Sequence, residues 1–172
     1  FQNPVVKKDL NILVFDGGVG IGNGLHLPAG PLRETLAHAV KRSDVAIIIG
    51  SDKTNLAARI QKENDKLKVF KAFMIPDKNV LRRMQKKRVV AFAGIGRPEK
   101  FFSMLRNYGI KLIDSFSFAD HKVYSEWELA RVMAHRDTAS IVTTTKDFVR
   151  VPQKFRPYVT SIPATLEFED EK

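Results

Sequence analysis

Cysteine is absent from the 172 residues. Disulfides and thiolate metal sites are therefore excluded, which fits a reducing compartment. No apolar run approaches the roughly 18–20 residues that a membrane-spanning helix needs. The opening residues lack the charged segment and apolar run of a secretory signal. Internal repeats and low-complexity tracts are also missing. The phosphate-binding pattern G-x-x-x-x-G-K-[ST] occurs nowhere in the chain. His26, His38 and His135 have no partner at metal-ligand spacing, so no protein metal site is expected.

The composition that remains is globular: 44% hydrophobic and 28% charged, in a chain long enough for one domain or parts of two. Twenty-nine Lys and Arg against 19 Asp and Glu leave a net charge of +10. That excess favours an anionic partner. The densest basic run, Arg82-Arg83-Met84-Gln85-Lys86-Lys87-Arg88, reads as a solvated helix face leading into a strand.

Strand and helix signals alternate along the chain. Apolar runs at 12–15, 45–49, 89–93, 110–116 and 140–143 read as strands, and 68–75 as a strand with an alternating face. Residues 32–40, 55–63, 97–108 and 125–135 read as helices. Ser125 and Glu128 form a capping box at the start of the last of these, and Gly109 closes the third. The tail, 160–168, reads as a final edge strand. This alternation predicts an α/β fold, a mostly parallel sheet with helices on both faces. A composition shift at 50–68 marks a candidate border.

Four places could carry chemistry. The first is the run Asp16-Gly-Gly-Val-Gly-Ile-Gly-Asn-Gly, continuing through Pro28-Ala-Gly-Pro-Leu-Arg-Glu34. Five glycines in eight positions imply a sharply turning backbone or a close ligand. G-x-G-x-x-G fails at every register of this loop, yet the loop lies where ligands of parallel sheets bind. The second, Gly94-Ile-Gly-Arg-Pro-Glu-Lys100, opens a helix with Pro98 in its first turn. It serves equally as good capping or as an anion site with Arg97 and Lys100. The third is Asp120-His121, where the carboxylate can hold the imidazole in one tautomer for use as a base. The fourth, 143–147, ends a strand in hydroxyls and a Lys-Asp pair. It reads as a cap for the next turn, or as a contact to a phosphate or nucleobase.

Together these segments resemble one family, the tetraacyldisaccharide 4′-kinases of Gram-negative bacteria. The matching pieces are Phe1-Gln-Asn with the 12–16 strand, the Gly20–Glu34 run, 92–102, and Phe118-x-Asp-His121. The 145–147 segment is similar to the family's Thr-Glu-Lys-Asp. The resemblance implies a P-loop-type kinase that uses ATP and Mg2+ to phosphorylate the 4′-hydroxyl of an anionic, lipid-linked glucosamine disaccharide. It implies a monomer at the cytoplasmic face of the inner membrane, held to the membrane surface by an N-terminal helix, with no nucleic-acid partner. In the family, the phosphate loop and the magnesium carboxylates precede the region matched here. The chain is thus expected to be a C-terminal portion that is inactive alone. Residues 1–52 would belong to the N-terminal kinase core and 53–172 to a C-terminal α/β domain whose last strand can return to the core.

Carried over by motif, His121 with Asp120 is the candidate catalytic pair. Arg33 and Glu34, with Gly22, Asn23 and Gly24, are candidates for binding substrate or nucleotide. Two positions depart from the family pattern: Lys122 where a second His is common, and Thr145 where Glu is usual. The competing class is a non-catalytic basic α/β module that binds nucleic acid or another polyanion. It lacks aromatics interleaved with its basic run and any nucleic-acid motif.

Overall fold

The computed structural model describes residues 5, 7–120 and 123–169. The chain forms two compact units, one of Phe1–Ile75 with Leu166–Lys172 and the other of Pro76–Thr165. The division follows the composition shift at 50–68 rather than falling within it. The reason is that β3 (Lys68–Pro76) pairs in parallel with β2 (Val45–Ile49) and so stays with the first sheet.

In the first unit, β1 (Ile12–Asp16) pairs in parallel with β2, and the strand order is β1-β2-β3-β8, with β8 being Ala164–Phe168. Alternate residues point to opposite faces. Leu13, Ala46 and Ile48 face inward and are buried against Val40 of α1 (Leu36–Lys41) and Leu56 and Ile60 of α2 (Leu56–Glu63). The helix expected over 32–40 starts late. Leu32 is still bridged to His26, and Thr35 is the residue that caps α1, accepting the His38 N–H at 3.1 Å. Asp52 caps α2 from a distance, accepting the N–H groups of Leu56 and Ala57 at 2.8 and 2.9 Å.

In the second unit the order is β5-β4-β6-β7, all in parallel, with β4 at Arg88–Ala93, β5 at Lys111–Ser117, β6 at Ser140–Thr144 and β7 at Val159–Ile162. Strand β4 is buried on both faces. Val89, Ala91 and Ala93 pack under α3 (Lys78–Met84) and α4 (Pro98–Asn107), while Val90 and Phe92 pack under α5 (Glu126–Met133). A short helix, α6 (Thr145–Phe148), follows β6 directly. The single tail strand expected over 160–168 is two strands in two sheets. Pro163 separates them, its ring carrying no N–H for a ladder. The α/β class with mostly parallel sheets holds, and the basic run does begin as the end of α3.

Candidate functional site

The glycine loop of the first unit is folded on its own hydrogen bonds. The Gly17 N–H donates to Ile49 O at 2.9 Å, Gly18 N–H to Asp16 Oδ1 at 2.9 Å and Gly20 N–H to Asp16 O at 2.8 Å. Gly22 and Gly24 donate to Val19 O and Ile21 O at 3.0 and 3.1 Å. A phosphate cradle needs such N–H groups aimed outward, and these are already engaged. Gly22 and Gly24 have φ of +61° and +76°, which favours glycine. They serve the turn rather than a ligand's close approach. Asn23 staples the loop. Its Nδ2 donates to Ala29 O at 2.9 Å, and its Oδ1 accepts from Leu25 N at 3.1 Å.

Glu34 leaves this loop into a cluster of basic groups. Its Oε2 accepts from Arg42 Nε at 2.9 Å and meets His38 Nδ1 at 2.7 Å, while Arg42 Nη2 holds Oε1. This two-pronged grip is the geometry in which Arg binds a carboxylate best. The Glu34 hydrogen bond pushes the Arg42 guanidinium above its ordinary value, and the nearby charge adds to it. Glu34 therefore anchors the start of α1. The neighbouring Arg33 is exposed and lines a groove of about 250 Å³ with Phe15, Pro31 and Leu36. A second groove of about 490 Å³ lies beside it, bordered by His26, Arg59 and Lys62.

The second unit gathers its polar groups at the carboxyl ends of β4, β5 and β6. Phe118 donates its N–H to Ala93 O at 2.9 Å, which brings the chain after β5 across the end of β4. Phe118 and Tyr124 meet edge-on at 5.1 Å, and both rest on Phe92, at 6.2 and 5.4 Å. Asp120 lies between those two rings in sequence. Its Oδ1 is 3.7 Å from Lys146 Nζ, and its Oδ2 faces Gly96, one residue before the Arg97 cap of α4. A helix start is a place that backbone dipoles make favourable for negative charge. His121, its partner in the motif, lies outside the described residues.

Asp147, the sequence neighbour of Lys146, is fully buried. Thr144 Oγ1 donates to its Oδ2 at 2.7 Å and accepts its N–H at 3.0 Å, so 143–147 does act as a helix cap. Arg150 Nη1 lies 3.6 Å from Asp147 Oδ1. Burial raises the Tyr124 phenol far above its ordinary value, and the charge of Asp147 raises it further. Sequence reasoning passed over Tyr124, Arg150, Arg42 and Asp52. Each works through a partner distant in the fold or offset from its helix, and no short motif carries such partners.

The comparisons with known proteins agree with one another. A family model described as tetraacyldisaccharide-1-P 4'-kinase matches residues 1–172. A tetraacyldisaccharide 4'-kinase of Gluconobacter oxydans is 41% identical over 100% of this chain and 52% of its own length. One from Rhodospirillum rubrum is 42% identical over 98% of the chain and 52% of its own length. The chain thus spans about half the length of the curated relatives it matches. The crystal structure of LpxK from Aquifex aeolicus in complex with ATP superposes with a TM-score of 0.61. It is 24% identical, over 95% of this chain and 49% of that one, and it supports the fold.

Proposed function

This chain belongs to the tetraacyldisaccharide-1-P 4'-kinase family, and we propose that it forms the C-terminal portion of a lipid kinase. The enzyme would transfer the γ-phosphate of ATP to the 4′-hydroxyl of a tetraacylated glucosamine disaccharide 1-phosphate. The match to the family over residues 1–172 carries this reading. On it, the first unit continues a kinase core and the second presents the acceptor-side pair, Asp120 and His121.

ATP and Mg2+ belong to the proposal, but the described residues offer neither a phosphate loop nor a magnesium-binding cluster. The glycine loop spends its N–H groups internally, and the chain has no phosphate-loop motif. The phosphate loop and the magnesium ligands are assigned to the part of the family length that this chain does not span, with Arg33 left as this chain's candidate phosphate contact. What the chain contributes is position. Phosphoryl transfer depends mostly on alignment and charge stabilisation, with a base that orients the nucleophile. Asp120 stands at a helix start beside Lys146, where it can hold a neighbouring imidazole in one tautomer. His121 would then accept the proton of the sugar hydroxyl. Arg33, exposed at the groove edge, would meet a phosphate, since its planar fork suits that group. Glu34 orients this region through Arg42 and His38.

The enzyme is proposed to act as a monomer at the cytoplasmic face of a bacterial inner membrane. No helix among the described residues is long and apolar enough to cross a membrane. The test is incubation of purified full-length enzyme with MgATP and the disaccharide 1-phosphate, with the product's phosphate located by 31P NMR. A new phosphate at the 4′ position is the expected result. No transfer, together with tight and salt-sensitive binding of DNA or RNA, would overturn the reading.

A further inference from the structure

Gly94 stands where β4 gives way to the turn before α4, and three parts of the chain close on it. A side chain there would begin 2.7 Å from Tyr124 Oη, 3.1 Å from Ala119 O and 3.3 Å from Asp147 Oδ1. Hydrogen alone fits. Tyr124 Oη and Asp147 Oδ1 are both buried, and neither completes a hydrogen bond among the described residues. Both the charge and the hydrogen-bonding capacity of Asp147 act on the Tyr124 phenol and favour its neutral form. Unpartnered buried polar groups are costly, and native proteins hold few of them. Here Tyr124 Oη and Asp147 Oδ1 both face Gly94, and the Asp147 oxygen has the ion pair with Arg150 at 3.6 Å beside it.

Thr144 clamps the second oxygen of Asp147 at 2.7 Å. Arg150 lies beside the first at 3.6 Å and donates to Gly94 O at 3.4 Å. From this hub, one arm reaches Asp120 and the other reaches Tyr124 and Phe118. Lys146, the neighbour of Asp147 in the sequence, meets Asp120 at 3.7 Å. Tyr124 locks onto Phe118 and Phe92. We propose that Asp147 is a positioning residue for phosphoryl transfer: through the Tyr124 hydroxyl and its sequence neighbour Lys146 it helps hold Asp120 over the start of α4.

The inference rests on the kinase reading. Active wild-type enzyme secures that reading before any variant is compared, and inactive wild type would defeat the reading itself. The experiment measures kcat, both KM values and Tm for full-length Asp147→Asn and Tyr124→Phe. A misplacement of about 1 Å in an aligned site costs on the order of 10²-fold in rate. Asp147→Asn is accordingly expected to lose about 10- to 100-fold in kcat. KM for ATP and for the disaccharide should stay within about twofold, since positioning acts on the transition state. Tyr124→Phe removes the hydroxyl on which Asp147 acts and keeps the ring contacts to Phe92 and Phe118. It is expected to lower kcat several-fold with Tm held or raised. A folded Asp147→Asn enzyme with wild-type kcat would overturn the proposal, as would a change confined to KM. Should Asp147→Asn fail to fold, Tyr124→Phe decides: loss of kcat with Tm held supports the proposal, and an unchanged kcat overturns it.

Discussion

Arg33 and Glu34 are adjacent in the chain but do different work. Glu34 is only 17% exposed and held by Arg42 and His38, whereas Arg33 is exposed and lines a groove. Their substitutions should therefore separate. Glu34→Gln keeps the shape and removes the charge that Arg42 grips, so thermal unfolding should move to lower temperature. Arg33→Lys loses the planar fork and should raise KM for substrate or nucleotide while Tm stays fixed. An unchanged KM in the Lys variant would exclude a two-pronged phosphate contact. Gly94 offers a third residue-scale test. The Ala variant places a methyl 2.7 Å from Tyr124 Oη and 3.1 Å from Ala119 O, so Tyr124 and Ala119 must shift. A fall in kcat with KM for ATP unchanged is expected in the full-length enzyme.

At the scale of elements, α2 depends on a residue outside it. Burial pushes the Asp52 carboxyl up, but the N–H groups of Ala57, Leu56 and Thr54 more than offset this, leaving its pKa below the usual value. Native Asp52 thus binds fewer protons than unfolded Asp52 at mildly acid pH. Its stabilisation is complete above the ordinary carboxylate range and is lost as pH falls through the depressed folded value. Asp52→Ala should cost about 1 kcal/mol at neutral pH, the usual loss for a helix cap. It should also flatten the acid limb of a Tm-versus-pH curve. This cap was not legible in the sequence, because Asp52 precedes α2 by several residues and its acceptor bonds span 52 to 57. The central strands were legible, since Val45–Ile49 and Arg88–Ala93 are buried on one or both faces and read as apolar runs. The Ser125–Glu128 box was legible too, with Glu128 Oε2 accepting from Ser125 N at 3.1 Å. The tail was misread as one strand because Pro163 interrupts an otherwise strand-like run, and only pairing reveals the change of sheet. At the site, Asp120 and the 143–147 cap carried local signals. Tyr124 and Arg150 carried none, because their meaning comes from Gly94, 30 and 56 residues away.

At the scale of the whole molecule, the first unit leaves one sheet face open. Leu13, Ala46 and Ile48 are covered by α1 and α2, but Ile12 and Val14 on the opposite face are 39% and 57% exposed. Parallel strands are normally covered on both sides, and a chain spanning half the length of its relatives fits a sheet whose second cover lies elsewhere in the enzyme. The 172-residue chain alone should therefore bind a hydrophobic dye such as ANS, and the full-length enzyme should bind much less. Equal dye binding would contradict that account. The larger claim is that the strand ends of the second unit serve phosphoryl transfer through Asp120 and His121. The most direct measurement is the turnover of full-length His121→Ala beside wild type, with MgATP and the disaccharide 1-phosphate. The account predicts a loss of about 10²–10⁴-fold in kcat, the range for removal of a general base. Near-normal turnover of the folded variant would contradict it.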